Sequence, residues 1–205
     1  MIYIIITTSI NSNYNTQHEN HRKKRYIESI QYLLNLVKED ATIKPIVVEN
    51  NGQRHTYLDD LNCEICYTHN NDVRYKHKGE NELLDIKEVI QRYHIKDDDM
   101  VIKITGRYKL LNLNFIHLLK EHSNYDAFIK FFNVCTRQYD SNDSVLGLFS
   151  IKCKFLKEFN YHFANSPEVE FAIYVRNTIE TNKIYEVSEL GLECCFADDL
   201  RLLNV

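Results

Sequence analysis

An α/β fold with a mostly parallel sheet is predicted from three observations. Short apolar runs of strand length recur along the chain, beginning with Ile2-Tyr3-Ile4-Ile5-Ile6. Segments with helical spacing separate them, first Tyr26, Ile27, Ile30, Leu33, Leu34 and Val37. The two patterns alternate over the first half, as parallel strands joined by crossover helices require.

The elements follow in order. Residues 2–7 are apolar throughout and predict a strand buried on both faces. Thr7-Thr8-Ser9-Ile10-Asn11 makes a polar loop, and residues 19–39 a long helix. The basic run Arg22-Lys23-Lys24-Arg25 could meet an anionic lipid or nucleotide, but a solvated face of that helix is the better reading. A second strand, 45–49, runs into Glu49-Asn50-Asn51-Gly52, a turn signal. A third is placed at 63–68, followed by a polar loop through Asn70, Asn71 and Lys78-Gly79. Residues 80–93 predict a helix with Leu83, Leu84, Ile86, Val89 and Ile90 as its apolar set. The fourth strand is 100–104. Beyond it come a short helix at 115–121, strands at 127–132 and 145–150, and helices at 152–161 and 167–177. The C-terminus reads as an acidic-aliphatic helix or tail. With no repeat, linker or low-complexity segment, residues 1–205 are expected to form one domain.

Composition narrows the classes of function. A formal net charge of -4 argues against a general nucleic-acid binder. The first apolar run is too short for a signal core or a transmembrane segment, so the expected location is cytoplasmic. The six cysteines are then expected as reduced thiols. Cys63-Glu64-Ile65-Cys66 has redox and zinc spacing, but no second pair accompanies it, and buried structural thiols are the better reading. The nine histidines show no ligand spacing, although His69 and His77 flank the Asn-rich loop.

The most informative stretch is Asp97-Asp98-Asp99-Met100-Val101-Ile102-Lys103-Ile104-Thr105-Gly106-Arg107-Tyr108. A turn leads into a buried strand that ends in Thr-Gly-Arg-Tyr. In open α/β sheets, ligands bind outside the carboxyl ends of the strands. Gly106 there permits a close backbone approach, and Arg107 offers five donors suited to phosphate. The three acids are hard-cation ligands by type, but they lie roughly 13–17 Å away, at the other end of a strand of this length. An exposed acidic turn is expected.

These segments, Lys78-Gly79-Glu80-Asn81-Glu82 and Ile102 to Tyr108 above all, resemble the nucleotide-sugar half of GT-A glycosyltransferases over about residues 1–150. The resemblance implies a single GT-A-like, Rossmann-like domain, with a nucleotide-sugar-binding half at 1–112 and an acceptor half at 113–205. It implies that Thr7, Thr8 and Asn11 line the nucleotide pocket, with Glu49, Asn50 and Asn51 beside the nucleoside. Lys78, Gly79 and Glu82 would lie near the sugar diphosphate, as would Lys103, Thr105, Gly106, Arg107 and Tyr108. The family normally carries a metal-binding Asp-X-Asp after its fourth strand. Here Thr105-Gly106-Arg107 stands in that place, so no metal ligand is assigned and no cofactor is required, with Mg²⁺ or Mn²⁺ left open. The implied partners are a nucleotide-sugar donor and a glycan, lipid-linked or protein acceptor. The base for the acceptor hydroxyl would be a carboxylate from the second half, and Glu168, Glu170 and Asp143 are the candidates, with Asp140 beside them. Glu168 and Glu170 also suit the first turn of a helix capped by Ser166. A nucleotidyltransferase and a noncatalytic binding module are the alternatives on this scaffold.

Overall fold

The computed structural model describes residues 1–10, 19–52, 55–71, 78–196 and 201–205. A seven-stranded sheet is built from β1 (Ile2–Thr8), β2 (Ile43–Glu49), β3 (Glu64–Tyr67), β4 (Met100–Thr105), β6 (Ala127–Ile129), β7 (Leu148–Lys152) and β8 (Ile184–Glu186). Its order is β3-β2-β1-β4-β7-β6-β8. The first four strands run parallel, β7 is antiparallel to β4 and β6, and β8 is parallel to β6. The helices are α1 (Glu19–Val37), α2 (Lys78–Arg92), α3 (Asn114–Glu121), α4 (Cys153–Glu158) and α5 (Pro167–Thr178). The expected α/β architecture, a mostly parallel mixed sheet flanked by helices, is the one observed.

Alternation along each strand divides the core. Ile4, Ile6, Ile102 and Ile104 face the apolar stripes of α1 and α3. Ile5, Val48, Val101 and Ile151 face α2, α4 and α5. Both faces are covered, which is why the central strands carry continuous apolar runs. Pro45 fits inside β2 because β3 joins only from Ile46 onward, so the missing N–H faces no partner on that side.

The later elements differ from expectation. The C-terminal stretch forms strands, β9 (Leu192–Cys195) and β10 (Leu202–Asn204), which join β5 (Lys109–Leu110) in a second, antiparallel sheet. Residues 145–147 precede β7 rather than belong to it. Gly147 lies under the Tyr108 ring, and a Cβ on it would stand 2.2 Å from Tyr108 Cε2. The burial of Val145 therefore comes from loop packing rather than from a strand.

Chain order sets the position of the site. From β1 the chain moves outward through β2 and β3, then returns by α2 to place β4 on the other side of β1. The strand order reverses between β1 and β4, and their carboxyl ends form the crevice where ligands bind such sheets.

Candidate active site

Three polar groups occupy that rim. The first lies on the α2 side. Lys103 is 1 % exposed, and its ammonium donates to Glu82 Oε1 at 2.9 Å, Thr105 Oγ1 at 2.9 Å and the Leu146 carbonyl at 2.7 Å. Thr7 Oγ1 donates to the same Glu82 oxygen at 2.6 Å. An ammonium has three donors, and all three are taken. Lys103 therefore fixes Glu82, Thr105 and the 146 turn against one another and has no donor left for a ligand.

The second group gathers the end of β2. Glu49 is fully buried and accepts from the Thr8 hydroxyl at 2.6 Å, from the N–H of Ile10 and Asn51, and from Asn51 Nδ2. Hydrogen bonding of this density is what a buried carboxylate requires. It also pins the first residues beyond β1. Next to it, Asp85 of α2 accepts from Thr68 Oγ1 at 2.6 Å, Asn50 Nδ2 at 3.0 Å and Asn70 Nδ2 at 3.1 Å. Burial pushes Asp85 up to about 7, against those three hydrogen bonds. Gly52, at φ +84°, closes the turn with its N–H on the Thr68 carbonyl at 2.7 Å.

The third lies on the α1 side. Gly106 N–H donates to the Thr7 carbonyl at 2.9 Å, and a Cβ there would meet Thr8 Cγ2 at 2.9 Å and Tyr26 Cδ1 at 3.0 Å. The glycine serves internal packing of β1, β4 and α1. The Arg107 carbonyl takes Arg25 Nε at 2.9 Å. Its guanidinium reaches Tyr26 Oη at 3.3 Å and the Cys195 carbonyl at 3.4 Å.

Across the rim, residues 143–147 run into β7, and α5 begins beside them. Ser144 Oγ donates to the Glu168 carbonyl at 2.9 Å. Asp143 accepts from Ser144 N–H at 2.7 Å and Asn133 Nδ2 at 2.8 Å, and burial raises its pKa. Glu170 accepts the N–H of His162, Ala164 and Asn165 at 2.6–3.0 Å. Burial would raise its pKa, but those donors hold it below the usual range. The Glu168 carboxylate has no hydrogen-bond or ion-pair partner among the described residues. Burial, together with the charges of Glu82, Glu168 and Glu170, drives the Tyr161 phenol above its ordinary range.

The structure thus brings together Thr7, Glu82, Lys103 and Thr105, then Thr8, Glu49, Asn50 and Asn51, and Gly106, Arg107 and Tyr108, with Asp143, Glu168 and Glu170 opposite. Gly79 lies in the first turn of α2. Asn11, His77 and the side chain of Lys78 fall outside the described residues. Asp97 and Asp99 sit at the amino end of β4, paired with Lys157 and the N-terminal amine. Cys63 and Cys66 are free thiols, each raised to about 11 by burial. Sequence reasoning missed Asp85, Tyr161 and Arg22. Arg22 had a legible signal, since it extends the buried stripe Tyr26, Ile30, Leu33 and Val37 one turn toward the N-terminus.

The described donors at the end of β4 do not suit a divalent cation. The end of β4 presents a hydroxyl, a glycine and a guanidinium, and the nearest carboxylate, Glu82, is held by Lys103 and Thr7. Among the described residues no three metal-ligating side chains converge. No described helix is long and apolar enough to cross a membrane.

No family model matches the chain, and no curated protein matches it by sequence. Solved structures do match in fold. A cytidylyltransferase from Leptospira borgpetersenii superposes with a TM-score of 0.56 at 10% identity, over 100% of this chain and 81% of that one. A mannosyltransferase from Pyrobaculum calidifontis, in complex with GDP-Man and Mn²⁺, gives 0.56 at 10% identity over 92% of this chain and 55% of its own. CMP:2-keto-3-deoxy-manno-octonic acid synthetase complexed with CTP gives 0.53 at 10% identity, over 91% and 89%. The chain has the fold of these sugar and nucleotide transferases.

Proposed function

We propose that the protein transfers a sugar from a nucleotide-diphosphate sugar to an acceptor hydroxyl. One observation carries this reading. Glu168, tied to the residues leading into β7 by Ser144 Oγ on its carbonyl, offers a carboxylate with no hydrogen-bond or ion-pair partner among the described residues, across the rim from the cationic end of β4. A hydroxyl acceptor must lose a proton, and a positioned carboxylate takes it. A phosphate acceptor is already ionised and needs no such base, so the free carboxylate favours glycosyl over nucleotidyl transfer to a phosphate.

In this reading the nucleoside lies against the ends of β1 and β2, where Glu49 organises Thr8, Ile10 and Asn51. The diphosphate lies toward Arg107, whose guanidinium offsets the charge that develops as the sugar departs. Lys103, Glu49 and Glu170 position their neighbours rather than touch substrate, because protein groups occupy them. The halves 1–112 and 113–205 supply the donor and acceptor sides of one domain, and the acceptor is a hydroxyl of a glycan, lipid-linked or protein substrate. Because the residues after β4 do not fit a divalent ion, no step is assigned to one.

Nucleotidyl transfer is the second reading, favoured by the fold shared with a cytidylyltransferase and with a synthetase complexed with CTP. One assay separates them. Nucleotide sugars are screened for stabilisation of the fold, which a ligand specific to the native state produces by linkage. Release of nucleoside diphosphate is then followed with a hydroxyl acceptor. Glycosyl transfer releases nucleoside diphosphate. Pyrophosphate release from a nucleoside triphosphate and a sugar phosphate supports the second reading. Donor binding with neither release identifies a noncatalytic module.

A further inference from the structure

Donors outnumber acceptors around the hydroxyl of Tyr26. Tyr26 is 1 % exposed, and its oxygen faces Ser9 N–H at 3.2 Å, Arg22 Nη2 at 3.3 Å and Arg107 Nη1 at 3.3 Å, while Arg22 Nη2 also donates to the Ser9 carbonyl at 2.9 Å. A phenol oxygen cannot serve three donors well and also has a proton of its own to place. Arg22 Nε is buried and has no partner among the described residues. Native structures rarely leave such a group unsatisfied without a functional reason. Charge is unbalanced in the same direction. Arg22 and Arg107 each reach the same oxygen, so their terminal nitrogens are no farther apart than twice 3.3 Å. Neither has a carboxylate partner among the described residues. Glu193, the acid in this corner, pairs with Arg25. The Cys195 thiol is raised by burial, and the charges acting on it are three guanidiniums, of Arg25, Arg107 and Arg22, against the one carboxylate of Glu193.

We propose that Arg22 and Arg107, bracketing Tyr26 at the carboxyl ends of β1 and β4, form a two-arginine site for the phosphate oxyanions of a diphosphate. Phosphate oxygens accept without donating, so they satisfy Arg22 Nε, relieve the crowding on Tyr26 and neutralise two adjacent cations. Guanidiniums are suited to this by their planar fork of donors. The identification of the anion as the donor's diphosphate rests on the glycosyltransferase reading. The site itself rests on the arginines. It also gives the end of β4 two cations, where the related fold would present metal-binding acids.

The test uses inorganic pyrophosphate as probe, at constant ionic strength because exposed-charge effects are screened by salt. Affinity is measured by calorimetry and by thermal shift for the full chain and for Arg22→Gln, Arg22→Lys and Lys24→Gln. Lys24 lies on the same helix and is exposed. The expected result is saturable binding that Arg22→Gln weakens tenfold or more, that Arg22→Lys partly retains, and that Lys24→Gln leaves unchanged. Equal losses for Arg22→Gln and Lys24→Gln would show diffuse attraction and overturn the site. No pyrophosphate binding by the unaltered chain would overturn it as well. The two proposals fail separately. Arg22-dependent pyrophosphate binding without nucleotide-sugar turnover sustains the site and sinks the glycosyltransferase reading. Turnover with a KM for donor unchanged in Arg22→Gln does the reverse.

Discussion

At the scale of single residues, the rim is organised by groups that hold one another rather than wait for a ligand. Lys103 is the clearest case, with its buried ammonium divided among Glu82, Thr105 and Leu146. Lys103→Ala leaves Glu82 and the Thr105 hydroxyl without their cation, and breaking a buried pair from one side costs about 3 kcal/mol at the lower end of its range, where the partial exposure of Glu82 places this pair. Urea melts should show that loss, with most of it recovered in a Lys103→Met, Glu82→Met double variant, since an apolar pair removes both charges together. Gly106→Ala tests the close packing of β1, β4 and α1. Its new Cβ would stand about 3 Å from Thr8, the Thr7 carbonyl and Tyr26, and overpacking of this kind costs about 1–3 kcal/mol. Because the same atoms shape the proposed nucleotide side of the rim, donor affinity should fall with stability in the same melts run with and without ligand.

At the scale of elements, Asp85 ties α2 to the turns after β2 and β3 through Asn50, Thr68 and Asn70. Its pKa is raised to about 7, first by burial, with Glu82 adding to the rise. The unfolded chain therefore releases this proton near 3.8, while the native protein keeps it until about 7. Between those values the native state binds more protons, so the contribution of this group to stability falls as pH rises. Thermal melts from pH 4.5 to 8 should show that downward slope in the unaltered chain and a flatter one in Asp85→Asn. A lone acid inside the apolar period Leu83, Ile86, Val89 and Ile90 was the trace it left in the sequence. Other elements were legible in proportion to their length and period. The strands expected at 2–7, 45–49, 63–68 and 100–104 appear at 2–8, 43–49, 64–67 and 100–105, because buried parallel strands write long apolar runs. β5 and β8 to β10 were not foreseen. At two to four residues each, they are too short for a period, and β5, β8 and β9 are held by partners remote in sequence. Arg22 and Arg25 were misassigned to solvent for a related reason. Four consecutive basic residues look alike in sequence, whereas the helix turns two of them inward, toward Ser9, Tyr26 and the Arg107 carbonyl.

At the scale of the whole molecule, β7 is the strand that makes one rim of two halves. Because it runs antiparallel to β4, its leading residues 143–147 arrive where β4 ends, with Thr105 N–H on the Gly147 carbonyl at 3.0 Å. They bring α5 with them through the Ser144 contact to the Glu168 carbonyl. The Glu168 carboxylate is thereby held opposite the proposed donor side by a contact of its backbone carbonyl that leaves its carboxylate oxygens free of it. Glu168→Gln keeps those contacts and removes the base. It should lower kcat by about 10²–10⁴-fold, the usual range for general-base loss, with the donor Kd unchanged in calorimetry. Glu170→Gln, by contrast, weakens the carboxylate that gathers three N–H groups of residues 162–165, so its effect should appear in stability as well as in rate. The same turnover measurement is then repeated in excess chelator. In the proposed reading Arg107 supplies charge at the leaving group and no acid pair follows β4, so the rate should persist. Loss of turnover in chelator, restored by Mn²⁺, would mean that other carboxylates assemble around the diphosphate when donor binds, and that the guanidinium at the end of β4 does not take the place of a metal ion.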